Sequence, residues 1–142
     1  MTTTKPFAPA DLLAIDLQPW QQQPEFSLTA DYGEWLSSNS CCAYTIMHGD
    51  NVVGAGGAIE IWEGRAEAWL LLDKEAGRVM NGVHRIATRF LNALPHSRVE
   101  TGCEVGWPEA HRWLSMLGFD HERTARKYTP SGRDIDIYVR IR

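Results

Sequence analysis

Arg65-Ala66-Glu67-Ala68-Trp69-Leu70-Leu71-Leu72-Asp73-Lys74-Glu75, followed by a helical pattern up to Leu94, is the stretch on which the fold turns. Residues 66–72 form a nearly unbroken apolar run of a strand's length, the kind buried on both faces of a sheet. The polar Asp73-Lys74-Glu75 ends it. From there Val79, Val83, Ile86, Ala87, Phe90, Leu91 and Leu94 recur at spacings of three and four, which predicts a long helix with a single apolar stripe. Arg78, Asn81, Arg85 and Asn92 fall on its other side, and Pro95 stops it. A buried strand that feeds a helix start leaves free N–H groups pointing outward, where the helix dipole favours an anion such as phosphate.

Working outward, the 142 residues suit one domain over positions 1–142 with a normal core. A formal net charge of −4 argues against nucleic acid or an acidic membrane surface as partner, since both call for clustered basic charge. No apolar run reaches the roughly 20 residues of a membrane span, and the polar start Met1-Thr2-Thr3-Thr4-Lys5 lacks a signal-peptide core. The expected location is the cytoplasm, or a particle assembled there. Three cysteines, two of them adjacent at Cys41-Cys42, make neither a disulfide framework nor a zinc spacing, and the five histidines show no pair at metal spacing.

Upstream, a short extended piece ends near Phe7, and Pro9 opens a helix over 9–15 with Leu12, Leu13 and Ile15 as contacts. Residues 18–26, with Pro19, Pro24 and three consecutive glutamines, are expected to be a loop. Thr29 caps a helix to Ser38 with Tyr32, Trp35 and Leu36 on one face. Strands at 43–48 and 52–62 are joined at Gly49-Asp50, and Glu63-Gly64 turns into the central strand. Gly54, Gly56 and Gly57 weaken a strand unless a bulge, a close packing contact or a ligand needs the missing side chains. Downstream, Arg98–Glu104 reads as a strand, Pro108 starts a helix with Ala110, Trp113, Leu114 and Leu117 inward, and Gly118 ends it with Phe119 packed back. A final hairpin has one strand through Tyr128, a turn over 129–132, and Ile135, Ile137, Val139 and Ile141 alternating with polar residues.

This order of elements resembles the GNAT (Gcn5-related N-acetyltransferase) superfamily over essentially the whole chain. The resemblance is carried locally by Asp50-Asn51-Val52-Val53-Gly54, by the strand feeding the long helix, and by the helix ending in Leu117-Gly118-Phe119. Ala68-Trp69-Leu70-Leu71, Ala76-Gly77-Arg78, His111-Arg112-Trp113 and Gly132-Arg133-Asp134 are more closely similar to the GNAT-like proteins of tailed phages and prophages related to internal virion protein A. The implied fold is α/β (α+β), a mixed and mostly antiparallel sheet of six to seven strands with about four helices.

The resemblance implies acetyl-CoA as co-substrate and an amine as acceptor, with a homodimer or phage structural proteins as further partners. In active members the pantetheine arm pairs with the fourth strand, here at Leu70, Leu71, Leu72 and Asp73, and the pyrophosphate rests at Lys74, Gly77, Arg78, Val79 and Met80. Two departures stand out. The family's Gln/Arg-x-x-Gly-x-Gly/Ala reads Lys74-x-x-Gly77-x-Val79 in one register and Ala76-x-x-Val79-x-Asn81 in another, neither complete. The tyrosine that in many members protonates the leaving thiolate, four residues before the glycine of Leu-Gly-Phe, is Leu114 here. Tyr128 and Tyr138 are substitute acids, and Glu60 and Glu67, on the third and fourth strands, are the candidate bases. The enzyme reading therefore stands beside a rival, a catalytically silent GNAT-fold phage protein acting in virion structure or assembly.

Overall fold

The apolar run becomes the central strand of a seven-stranded sheet. The structure, a computed structural model, describes residues 1–22 and 27–142. In chain order, β1 (Thr2–Pro6) is followed by 3₁₀ turns at Pro9–Ala14 and Pro19–Gln21, α1 (Ala30–Asn39), and the meander β2 (Cys42–His48), β3 (Asn51–Trp62) and β4 (Arg65–Leu72). Then come a 3₁₀ turn at Lys74–Val79, α2 (Met80–Ala93), β5 (Arg98–Glu104), α3 (Pro108–Met116), β6 (Asp120–Ala125) and β7 (Ile135–Ile141). The strands lie in the order β1-β2-β3-β4-β5-β7-β6, with β4 and β5 the parallel neighbours in an otherwise antiparallel sheet. This is the mixed α/β architecture the sequence predicts.

Alternation along β4 builds two layers. Trp69 and Leu71 pack on the front face with Leu12, Ile15 and Leu36, which come from the first 3₁₀ turn and α1. Ala66 and Leu72 pack on the back face against α2, which buries Val83, Ile86, Ala87 and Leu91. Full burial of a large aliphatic side chain is worth about 1.5–3 kcal/mol, so this stripe holds α2 although its first turn has no side-chain cap.

Several sequence expectations shift. The helix expected over 9–15 is a 3₁₀ turn, and α2 begins one residue later than Val79 because six residues of 3₁₀ turn precede it. The loop expected over 18–26 holds a 3₁₀ turn at Pro19–Gln21, and its residues 23–26 lie outside the described residues. Thr29 caps α1 by accepting from Tyr32 N–H at 3.1 Å, yet Trp35 stands half exposed, stacked on Tyr32 rather than turned into the core. The glycine cluster answers to close contact: a Cβ at Gly56 would sit 2.6 Å from the Tyr44 hydroxyl, and one at Gly57 2.7 Å from the Cys42 carbonyl oxygen. The register shift lies just before the cluster, opposite Ile46/Met47. Gly118 adopts φ +93°, and Phe119 N–H donates to Leu114 O at 3.0 Å, closing α3 as expected. Tyr128, however, lies in the β6–β7 connection, not on a strand. Asp136 is buried where the alternation of β7 predicts an outward polar residue.

Candidate functional site

β4 and β5 pair at just three positions, Arg65–Glu67 against Arg98–Glu100, and then part. The last link is Thr101 Oγ1 donating to Ala68 O at 3.1 Å. β5 is meanwhile held along all seven residues by β7, so the sheet opens as two arms. A cavity of about 870 Å³ runs through the opening; Lys74, Gly77 and Met80 line it near the start of α2, Glu67 lines it further back along β4, and Trp107 and Tyr128 line it from the connections that follow β5 and β6. Its volume falls within the range of small-molecule sites.

At the α2 end, Asp73 organises the turn. Its carboxylate accepts from Asp16 N–H at 2.7 Å and Glu75 N–H at 2.9 Å, and it is buried. It thus serves as the cap of the 3₁₀ turn, each of its oxygens taking one of these N–H groups. Gly77 is exposed, and a Cβ there would meet nothing within 4 Å. Val79 and Met80, which the resemblance implies stand where a diphosphate approaches, lean on the core cluster of Leu72, Ala76 and Val83. Lys74 pairs with Asp16 at 2.8 Å and Arg78 with Glu75 at 3.1 Å. Both pairs are exposed and contribute little, so either cation is available to an anion.

Along the open edge of β4 the chain's own residues are already paired. Gln21 Nε2 donates to Leu70 O at 2.7 Å, and Leu72 N–H donates to Gln21 Oε1 at 2.9 Å. Gln18 N–H donates to Leu72 O at 3.1 Å. Trp20 then crosses the opening to stack on Trp107, with centroids 6.0 Å apart and planes at 10°. No periodic pattern in the sequence signals this; the one pointer is an aromatic and two prolines in a glutamine-rich segment.

The two candidate bases part company. Glu67 is on the front face and lines the cavity; its carboxylate makes no hydrogen bond or ion pair among the described residues. Partial burial raises its pKa above the ordinary carboxylate value, the neighbouring Glu100 charge adds to that, and Arg65 opposes it. Tyr32, on the same wall, is raised by burial and then by Glu67. Glu60 is on the back face, 2.7 Å from buried His96 Nε2, and does not line the cavity. Tyr128 lines the cavity with 59% of its surface exposed. Leu114 also lines it, as part of the back-face core. Tyr138 is buried there against His111 and His121.

A polar network behind α3 went unseen in the sequence. Asp136 accepts from Thr124 Oγ1 at 2.5 Å and lies 2.8 Å from His111 Nε2 and 3.0 Å from His121 Nε2. Burial alone would raise Asp136, but the Thr124, His111 and His121 hydrogen bonds outweigh it and bring the carboxyl to about 2. Burial likewise disfavours the charged form of His111, but its bonds to Trp107 O and Asp136 outweigh that and raise it above the usual imidazole value.

No family model matches the sequence, and no curated protein matches it. Solved structures do match in shape. Ard1 from Thermoplasma volcanium superposes with a TM-score of 0.81 at 16% identity, covering 99% of this chain and 97% of that one. A spermidine N-acetyltransferase chimera of SpeG from Vibrio cholerae and hSSAT gives 0.73 at 18% identity, covering 99% and 95%. An acetyltransferase of the GNAT family from Bacillus anthracis gives 0.71 at 14%, covering 99% and 94%. The chain has the GNAT fold, and at these identities the likeness is one of fold.

Proposed function

We propose that the protein is an N-acyltransferase that moves an acetyl group from acetyl-CoA to an amine. The observation that supports this most is the continuous cavity through the parted β4 and β5, with a helix start that has no side-chain cap along one stretch and the carboxylate of Glu67, unpaired among the described residues, along another. The residues suit the coenzyme. Open space at Gly77, first-turn N–H groups of α2 and the exposed Lys74 and Arg78 suit a diphosphate, and the edge groups of Leu70 and Leu72 suit an amide-bearing arm.

Chemically, the acceptor arrives as an ammonium. One proton leaves to Glu67, directly or through water, and the freed nitrogen attacks the thioester carbonyl carbon. The C–S bond breaks as the amide forms, and the second amine proton ends on the coenzyme thiolate, relayed by Tyr128 or solvent. Glu67's raised pKa brings it closer to the range useful for a base. A free thiol has a pKa of about 8.5, so its thiolate is a tolerable leaving group near neutrality and a missing donor at Leu114 slows the reaction without forbidding it.

A second reading is favoured by Leu114 and by the covered edge of β4: a silent GNAT-fold protein that acts through contacts in phage assembly or inside a virion, where the first reading places it in the cytoplasm. Thermal shift with acetyl-CoA, followed by thiol release against a panel of amines, separates the two. A rise in melting temperature with turnover, faster in Leu114→Tyr, supports the enzyme. No shift at millimolar acetyl-CoA favours the silent protein.

A further inference from the structure

The segment from Asp16 to Gln21 is built in two parts that are held differently. Its base is tied by main-chain bonds and a cap: Asp16 N–H to Asp73, Lys74 N–H to Asp16 O at 2.8 Å, Gln18 N–H to Leu72 O, and a bridge between Leu17 and Asp73. Its tip, the 3₁₀ turn at Pro19–Gln21, satisfies its own backbone, with Gln21 N–H donating to Gln18 O at 2.9 Å. Beyond that, what fixes the tip across the cavity among the described residues is side-chain contact: the two hydrogen bonds of Gln21 and the Trp20–Trp107 stack, with Gln22 Nε2 donating to Leu17 O behind them.

Those two hydrogen bonds have a specific chemistry. A parted strand leaves a carbonyl and an N–H facing the cavity, and such groups are costly to bury unpaired. The carboxamide of Gln21 supplies one N–H donor to Leu70 O and one oxygen to Leu72 N–H, the complement a secondary amide of an extended ligand would offer. Only this orientation of the amide puts donor against acceptor at both ends. A paired neighbouring strand would fill the edge permanently, whereas one side chain on a self-contained turn can leave without disturbing the base.

We propose that Gln21 is a built-in competitor for the coenzyme's amide on β4, so that coenzyme binding expels Gln21 and in the same motion breaks the Trp20–Trp107 stack. This rests on the acyl-CoA reading of the site. Because Trp20 and Trp107 also wall the cavity, arrival of the coenzyme reshapes the space left for the acceptor. Gln21 thereby determines coenzyme affinity and favours coenzyme-first binding.

The test is calorimetric titration of CoA into the wild type, Gln21→Ala and the volume-conserving Gln21→Met, with near-ultraviolet circular dichroism following the stacked tryptophans and Trp20→Phe identifying their band. Releasing two competing hydrogen bonds should tighten CoA binding roughly 5- to 100-fold in both Gln21 variants. The stack's band should vanish when the wild type is saturated. Equal affinity in all three proteins, or weaker binding in the variants, overturns the competitor while leaving the acyl-CoA reading intact. A band that persists at saturation also overturns it. No CoA binding by any of the three removes both.

Discussion

The two faces of the sheet use their polar residues in different ways. On the back, under α2 and α3, the polar groups considered as site residues or found in networks are bound to other parts of the protein: Glu60 to His96, Asp136 to Thr124, His111 and His121. On the front, Glu67 faces the cavity with its carboxylate unpaired among the described residues. Two glutamates on adjacent strands, separated by seven positions, thus differ in role because strand alternation and the β3–β4 turn send them to opposite faces. For these two glutamates the face sets the use, while the neighbours decide within a face: Glu100, beside Glu67, is bound by Arg65 and Arg98.

The largest expected effect probes that contrast directly. Glu67→Gln should lower the rate of thiol release by about 10²–10⁴-fold, the usual worth of a general base, with the melting temperature almost unchanged. In the wild type the rate should fall as pH drops through the Glu67 pKa, which lies above the ordinary carboxylate value, because only the ionised form takes a proton. A variant that loses stability but not rate would place Glu67 with the structural carboxylates.

Next in size is packing on the back face. Gly56→Val would drive a side chain into Tyr44, which is itself packed on Phe90 of α2 with centroids 4.9 Å apart. Overpacking of this kind costs about 1–3 kcal/mol, or a fall of roughly 3–12 °C in melting temperature. A neutral variant in thermal unfolding would show that Tyr44 can swing away and that the layer is looser than its contacts suggest.

How much of this was legible in the sequence depended on range. Pro108, Gly118 and Phe119 announced α3 because caps and stops act within a few residues, and the apolar run of β4 announced a two-faced strand because its period is local. The close contacts at Gly56 and Gly57 were legible as a need for space, though not which neighbour required it. Asp136 was not legible: its partners lie at 111, 121 and 124, and they meet it only because β7 inserts between β5 and β6. Gln21 was hidden for the same reason, since it pairs with residues some 50 positions away. The turn over 129–132 reads as a tight hairpin that would put Tyr128 on a strand, whereas Lys127 at φ +50° already belongs to a wider connection.

The Asp136 network should matter next, and its signature is pH. Asp136 sits at about 2, below its ordinary value, so its contribution is complete above about 4 and is lost as pH falls towards 2. His111 is raised, so its contribution is complete below its unfolded value of about 6.5 and is lost as pH climbs through the higher folded value. Stability from the pair should therefore peak between about pH 4 and 6.5. Asp136→Asn should remove that peak and cost about 1–2 kcal/mol in urea unfolding at pH 5.5, since the amide accepts fewer hydrogen bonds and carries no charge. An unchanged pH profile in the variant would mean that the network titrates as it does in the unfolded chain.

The smallest effect is expected at Glu60, and its smallness is what gives the comparison its edge. A general base must keep a proton, which an amide oxygen cannot do, so Gln at a catalytic position is close to dead. A partner for a histidine N–H needs only an acceptor oxygen, which Gln supplies at the same reach. Glu60 is half exposed while His96 is buried with Nδ1 unpaired, so the bond to Nε2 at 2.7 Å is the ring's remaining polar contact among the described residues. Glu60→Gln should keep that contact, changing stability by no more than about 0.5 kcal/mol and leaving thiol release at the wild-type rate. A melting temperature well below that would reveal a charged pair with His96, which the amide cannot replace. A rate as low as that of Glu67→Gln would break the division of the sheet into a working face and a bound one, because it would put a proton-accepting role on the side where these carboxylates are already engaged.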